Sequence, residues 1–220
     1  MGEPVVPEFI ELDDPRPIAA EAPYTFELPL SAWLDALQPG DLVKAIFRQT
    51  DGAELEYRAE RMWVEIEQID GDLYTGPLVN QPSSITRIAI GDIVSIPRSH
   101  VIATEIAEGR TRPCPDDRRE YRDRCLVDAC VVDGRSHVEY LYREKSEGTK
   151  PGDEFPDSGW RIRGTRQAID EDERQGKTVQ YLALGVVLNR DDNWLHLIDS
   201  PPGSYFAWDA ESARYVALDG

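Results

Sequence analysis

Apolar and polar residues alternate most clearly over residues 62–69. Met62, Val64, Ile66 and Gln68 fall on one face, and Trp63, Glu65, Glu67 and Ile69 on the other. A period of two marks a strand. The same signature, in shorter runs, covers residues 42–47, 73–79, 93–97 and 100–103. Asp51-Gly52, Asp70-Gly71-Asp72 and Gly91-Asp92 are the turn signals between them. Short strands at this spacing predict a small, strongly bent, barrel-like sheet. Ahead of them, Trp33, Leu34 and Leu37 share one face of a predicted helix over residues 31–37, with Ser31 as its N-cap and Pro39-Gly40 as its stop. Residues 24–29 read as β-like, and residues 1–23 as an extended acidic lead. Pro4, Pro7, Pro15, Pro17 and Pro23 argue against a regular helix in that lead.

Residues 107–118 lack apolar periodicity and contain Pro113 and Pro115, the composition of a linker. In residues 118–124 the arginines alternate with acids, which favours a short charge-paired helix. Strands are predicted over residues 126–132, 138–143 and 159–164, with an exposed, mobile polar loop over 146–158. Residues 180–189 are apolar on most sides and predict a buried helix, while 204–208 and 214–217 pair as a terminal hairpin. The expected fold class is α+β. A small, β-rich, barrel-like N-terminal domain (residues 24–106) is followed by a C-terminal α+β domain (residues 119–220).

Charge alters this picture only at the surface. The chain carries 42 acidic and 24 basic residues, a formal charge of −18. Residues 1–110 account for −12 of it and residues 111–220 for −6. Such a field repels nucleic acid and anionic membranes and attracts a basic partner. Cys114, Cys125 and Cys130 are too few and too irregular for a closed disulfide framework, and Cys130, in the run Ala129-Cys130-Val131-Val132, reads as a buried small hydrophobe. No run approaches the length of a membrane span, and no basic n-region followed by an apolar stretch opens the sequence. A cytoplasmic location is expected.

Motifs for chemistry are sparse. His100, His137 and His196 are widely spaced, with no second His or Cys at ligand spacing, so no metal is expected. Ser158 lacks both a GxSxG elbow and a neighbouring base and reads as a turn residue. Phosphate-cradling glycine motifs are absent. The acid pairs Asp116-Asp117 and Asp191-Asp192 sit in polar loops, where solvated charge is the ordinary outcome. Of the five tryptophans, Trp160 stands out because it follows the 146–158 loop and adjoins Arg161. Loop-flanked aromatic and guanidinium groups make common interface anchors, whereas a core anchor is the plainer reading of any tryptophan.

Several stretches resemble known bacterial families. Cys130-Val131-Val132, Tyr142-Arg143-Glu144, Asp157-Ser158-Gly159-Trp160-Arg161 and the run from Leu197 to Ser204 make residues 125–206 similar to immunity proteins of polymorphic toxin systems, of the immunity-protein-thirty-three type. After Gly164 this chain has Thr165-Arg166 where that family carries acid, and acid returns only from Asp170 to Glu173. Residues 24–102 resemble a YegJ-like domain. The matching stretches are Pro23 to Phe26, Gly40 to Lys44, Met62 to Glu65, Asp70 to Asp72, Gly76 to Pro82 and Gly91 to Val94. The resemblance implies a non-catalytic protein-binding module that neutralises a toxin by occlusion. It needs no cofactor, and the charge favours a basic toxin as its protein partner. The candidate partner-binding residues are Tyr142, Arg143, Asp157, Trp160 and Arg161. The competing readings are an enzyme with a site between the domains around Asp157, Trp160 and His196, and a housekeeping scaffold protein.

Overall fold

The computed structural model describes residues 5–218; residues 1–4, with Pro4 of the lead among them, and 219–220 lie outside it. The chain divides into two compact units. One holds the chain up to Glu21 and Phe26–Arg118, and the other Ala22–Thr25 and the chain from Arg119 onward.

The lead is not wholly extended. β1 (Ile10–Leu12) is followed by α1 (Arg16–Glu21). Prolines open this helix without breaking it, because the first turn has no hydrogen bond for their missing N–H groups to make. The Pro15 carbonyl accepts from Ala19 N–H, and Asp14 caps the Arg16 N–H at 3.0 Å. α2 (Ser31–Asp35) buries Trp33 as predicted, but its N-cap is Leu30, with no side-chain cap, so Ser31 opens the helix itself.

β2 (Leu42–Gln49) and β3 (Ala59–Glu65) pair antiparallel, with Val43 opposite Val64 and Ala45 opposite Met62. β1 and β7 (Ala103–Glu105) share the other edge of β2. The alternation over residues 62–69 is broken after Ile66. The chain re-forms as β4 (Gln68–Asp70), which turns through Gly71, φ +60, into β5 (Leu73–Pro77), and β5 pairs with β6 (Ile93–Pro97). A Val64–Leu78 bridge links the four-stranded sheet to this three-stranded one. A Cβ at Gly76 would stand 1.8 Å from the Glu65 carbonyl oxygen, so only glycine lets β5 cross the end of β3. The result is strongly bent, but no closed barrel forms. Val43, Phe47, Met62, Val64, Tyr74, Val94 and Ile96 fill its concave side.

Residues 107–118 have no helix or strand and are fastened to the first unit. The Arg110 guanidinium reaches the fully buried Asp41 at 2.6 Å, Arg112 lies over the Trp33 ring, and Trp33 Nε1–H donates to the Cys114 carbonyl.

The second unit is a six-stranded mixed sheet in the order β11-β8-β10-β9-β12-β13, formed by β8 (Arg124–Val127), β9 (Tyr140–Arg143), β10 (Asp157–Arg163), β11 (Gln180–Ala183), β12 (Tyr205–Asp209) and β13 (Arg214–Ala217). Only β8 and β10 run parallel. The terminal hairpin forms as predicted. The charged run before β8 is not helical, because its arginines pair outside any helical turn: Arg119 with Asp199, and Arg124 with Asp153. The apolar run 126–132 is only half strand. Its end folds as α3 (Ala129–Val132), as the strand cannot continue past the buried Asp128, whose carboxylate accepts from Gly164 N–H. α4 (Arg166–Arg174) was not expected; Thr165 caps it through Ala168 N–H. The 180–189 segment splits into β11 and α5 (Leu184–Leu188), where β-branched Val186 and Val187 limit the helix to little more than one turn.

Candidate partner-binding site

Strand alternation gives the second sheet two unlike faces. On one, Cys125, Val127, Leu141, Trp160 and Ile162 are fully buried beneath α3 and α5, and Ala168 and Ile169 of α4 pack against the same cluster. The thiols belong to that core. Burial pushes Cys125 up to about 12 and Cys130 up to about 11.

The opposite face carries Leu126, Tyr140, Tyr142, Arg161, Arg163, Tyr181, Tyr205 and Ala207; no helix of the described residues packs on it, but Glu144 meets Arg161 and Lys150 lies over Tyr181 at its β11 side. Tyr142 stands across from Tyr205 on β12 and from Arg161 on β10. The Tyr142 and Tyr205 rings are stacked, with centroids 5.9 Å apart and 11° between planes, and Tyr140 lies 5.6 Å further along the strand. All three are half-buried. Burial, with the neighbouring Tyr205 and Tyr142, raises the Tyr140 phenol above its ordinary value. Arg163, also half-buried, is held by Asp128 at 2.8 Å.

The five residues singled out by sequence separate on these two faces. Tyr142 lies on the open face. Trp160 is 0% exposed on the core face; its Nε1–H donates to the Ile198 carbonyl, and its ring packs 5.7 Å from that of Trp194. It cannot meet a partner and is a core anchor. The loop before it does not deliver it to the surface, because β10 begins at Asp157 and carries Ser158 to Trp160 straight into the sheet. Ser158 is therefore a buried strand residue, not a turn residue, and its hydroxyl donates to the Arg124 carbonyl. Arg143 braces the backbone, donating to the carbonyls of Ser158, Ile198 and Ser200.

Asp157 and Arg161 form a buried bidentate pair at 2.9 and 3.0 Å, and Arg161 also reaches Glu144. Burial alone would raise the Asp157 carboxyl. The Arg161 guanidinium and the Gly159 N–H outweigh it and hold the group below its usual value. Asp157 is thus a neutralised ion-pair member, Trp160 is closed off and His196 is exposed, so these three make no common catalytic cluster. Loop 144–156 is exposed through much of its length but tied at several points. Asp153 pairs with Arg124, Lys150 lies 3.6 Å over the Tyr181 ring, and Ser146 Oγ donates to the Asp157 carbonyl. Among the described residues, no group of three or more His, Cys, Asp or Glu side chains is placed to hold a metal ion.

Sequence reasoning missed Tyr140 and Tyr205. The alternation Tyr140-Leu141-Tyr142 was the available signal: if Leu141 faces the core, both tyrosines face away from it.

Residues 35–110 match the family model of an uncharacterized protein conserved in bacteria (DUF2314). Residues 125–218, which hold the second sheet but for Arg124 at the start of β8, match that of the immunity protein Imm33 domain. No curated protein and no solved structure matches the chain. No helix of the described residues is long and apolar enough to cross a membrane. An immunity domain supports a role in toxin neutralisation and implies a toxin protein as partner. Two segments of the chain are thus similar to described families, residues 35–110 to DUF2314 and residues 125–218 to the immunity protein Imm33 domain.

Proposed function

We propose that the protein neutralises its toxin without catalysis, by occlusion, and that the tyrosine face of the second sheet is the contact surface. The observation that carries this reading is the Tyr140–Tyr142–Tyr205 ladder on a sheet face that no helix covers. Tyrosine supplies large, rigid, amphipathic contact area at small entropic cost, and it is enriched at protein interfaces. A chain of charge −18 attracts a basic toxin and does so less at high salt.

The double variant Tyr142→Ala/Tyr205→Ala tests the reading. Affinity capture from native lysate supplies the toxin, which is then purified and titrated against both proteins. The variant is expected to lose about 100-fold in affinity, the effect of a central hot spot, and to keep its melting temperature. Equal affinity of variant and parent would remove this face from the interface, and affinity insensitive to salt would remove the basic-partner component.

A further inference from the structure

One row of side chains crosses the second sheet on the face of the tyrosine ladder. Successive cross-strand pairs place Tyr181, Leu126, Arg161, Tyr142 and Tyr205 in it, from β11 to β12. Its Tyr142–Tyr205 end is half-exposed, and its Tyr181–Arg161 end lies under the 144–156 segment.

That cover is unevenly fastened. Backbone hydrogen bonds pin its ends: the Gly148 carbonyl accepts from Asp157 N–H at 2.9 Å, and the Pro156 carbonyl from Arg124 N–H at 2.8 Å. Between the pins, residues 149–155 form a tip that makes no backbone hydrogen bond to the sheet among the described residues. Side chains alone hold the tip down. Asp153 pairs with Arg124, Phe155 lies beside the Arg122 and Arg124 guanidiniums, and the exposed Lys150 sets its ammonium 3.6 Å over the Tyr181 ring. Charge contacts at a surface are individually weak. The Tyr181 hydroxyl, moreover, is buried and has no hydrogen-bond partner among the described residues, which penalises the closed arrangement. Burial raises the Tyr181 phenol, and Asp157 and Asp153 raise it further against Arg124 and Arg161, so carboxylates lie close to the ring that Lys150 covers.

Lys150 shows what the covered end of the row accepts: an ammonium over a tyrosine face with carboxylates nearby. We propose that the 149–155 tip is a lid on the toxin-contact face, and that Lys150 holds in cis the place that a lysine of the toxin takes. This rests on the reading of the tyrosine ladder as that contact. Docking exchanges one ammonium for another over Tyr181 and swings the tip away, and the row becomes one continuous surface from Tyr181 to Tyr205. The segment 144–156 carries four acids and two lysines. Its ion pairs are those of Glu144 and Asp153, which leaves Glu147 and Glu154 exposed and unpaired among the described residues. The lid itself therefore attracts a basic partner.

The test follows the ε-methylene NMR resonances of the four lysines in the full chain, Lys44, Lys145, Lys150 and Lys177. Lys150→Ala assigns that of Lys150. Protons over a ring face resonate upfield, so Lys150 over Tyr181 and Lys44 over Trp63 are expected upfield of the exposed Lys145. Tyr181→Leu should bring Lys150 to the Lys145 position and leave Lys44 in place. Titration with tetralysine amide should do the same in the parent chain, and tetraserine amide should not. The purified toxin should act as tetralysine does. Lys150→Ala should bind that toxin about threefold more tightly, the factor by which one exposed cation–π contact holds the lid shut. Lys145→Ala removes the same charge from the same segment and should bind no more tightly than the parent. A Lys150 resonance that is not upfield in the free chain, or that stays upfield at every concentration of tetralysine, overturns the lid. A toxin that releases Lys150 but binds Tyr142→Ala/Tyr205→Ala as tightly as the parent keeps the lid and moves the contact to the covered end of the row. A toxin that loses affinity for that double variant but leaves Lys150 upfield keeps the tyrosine contact and removes the lid.

Discussion

Both units cover their sheets, but by different means. In the first, the bend at Gly76 folds β4–β6 over the same core that β2 and β3 bound, so strands cover strands and Trp33 is the one tryptophan buried there. In the second, α3, α4 and α5 cover one face; on the other the 144–156 segment lies over Arg161 and Tyr181 and leaves Tyr140, Tyr142 and Tyr205 half-exposed. Antiparallel sheets commonly carry such a solvated face. Here that face bears four tyrosines, three of them in one ladder, where charged or small polar residues are the ordinary occupants, and for that reason it reads as a binding surface. A sheet that bends to cover itself has little surface to spare for a partner, whereas a sheet covered by helices on one side has a whole face.

The comparison breaks most sharply at one residue in each unit. Gly76→Ala drives a methyl into the Glu65 carbonyl, 1.8 Å away, and is expected to unfold the first unit while the second keeps its transition. Trp160→Ala empties the centre of the second core and should cost it about 3–5 kcal/mol with the first unit unaffected. Calorimetry of the two variants reads both transitions. If either substitution moves both equally, the two units are one cooperative body and the contrast drawn above dissolves.

Much of this was legible in the sequence. The alternation over residues 62–66 and the Gly71 turn announced the first sheet, and the terminal hairpin stood out in the second. Three things were not legible. The α3 and α5 turns hide inside continuous apolar runs, where a strand and a buried helix look alike. The helix at Arg16–Glu21 hides behind prolines that harm a helix only in its interior. Trp160 was read as emerging from a loop, because sequence does not tell which face of a strand meets the core; the parity of its neighbour Ile162 with Leu141 was the missing information.

A smaller effect distinguishes how the units hold their buried acids. Asp41 in the first unit and Asp157 in the second each face a guanidinium. Burial would raise either carboxyl, but at Asp41 the Ala107 N–H, Arg110 and the Gln38 N–H outweigh it, as Arg161 does at Asp157. Both folded values lie below the unfolded one, so each pair's stabilisation is complete above about pH 4 and is lost as pH falls through the folded value. Asp157→Asn should cost the second unit about 2 kcal/mol at pH 7, since Glu144 still meets Arg161, and should flatten that unit's acid sensitivity alone. Asp41→Asn should do the same for the first unit. Melts from pH 7 to pH 3 check the sign: a variant that remains as acid-sensitive as the parent would mean that other carboxylates govern the acid limb.

The smallest effect lies in the hairpin that carries Tyr205 on one face and Trp208 and Tyr215 on the other. Its turn ends at Ala213, which sits at φ 48 and is exposed. A left-handed conformation costs a non-glycine residue about 1 kcal/mol. Glycine removes that strain but loses about 0.5–1 kcal/mol through the greater freedom of its unfolded chain. Ala213→Gly should therefore gain the second unit only a few tenths of a kcal/mol, or about 1–2 °C in its melting transition. The first unit's transition should not move, and the register of Trp208 against Tyr215 should hold, because it is set by the pairs from Phe206–Ala217 to Asp209–Arg214 and not by the turn. A clear drop in stability would show that Asp209, which accepts from Glu211 N–H and the Ser212 hydroxyl, needs the alanine turn to hold those bonds. The hairpin would then be positioned by its turn, and both faces of the second sheet would depend on four exposed residues.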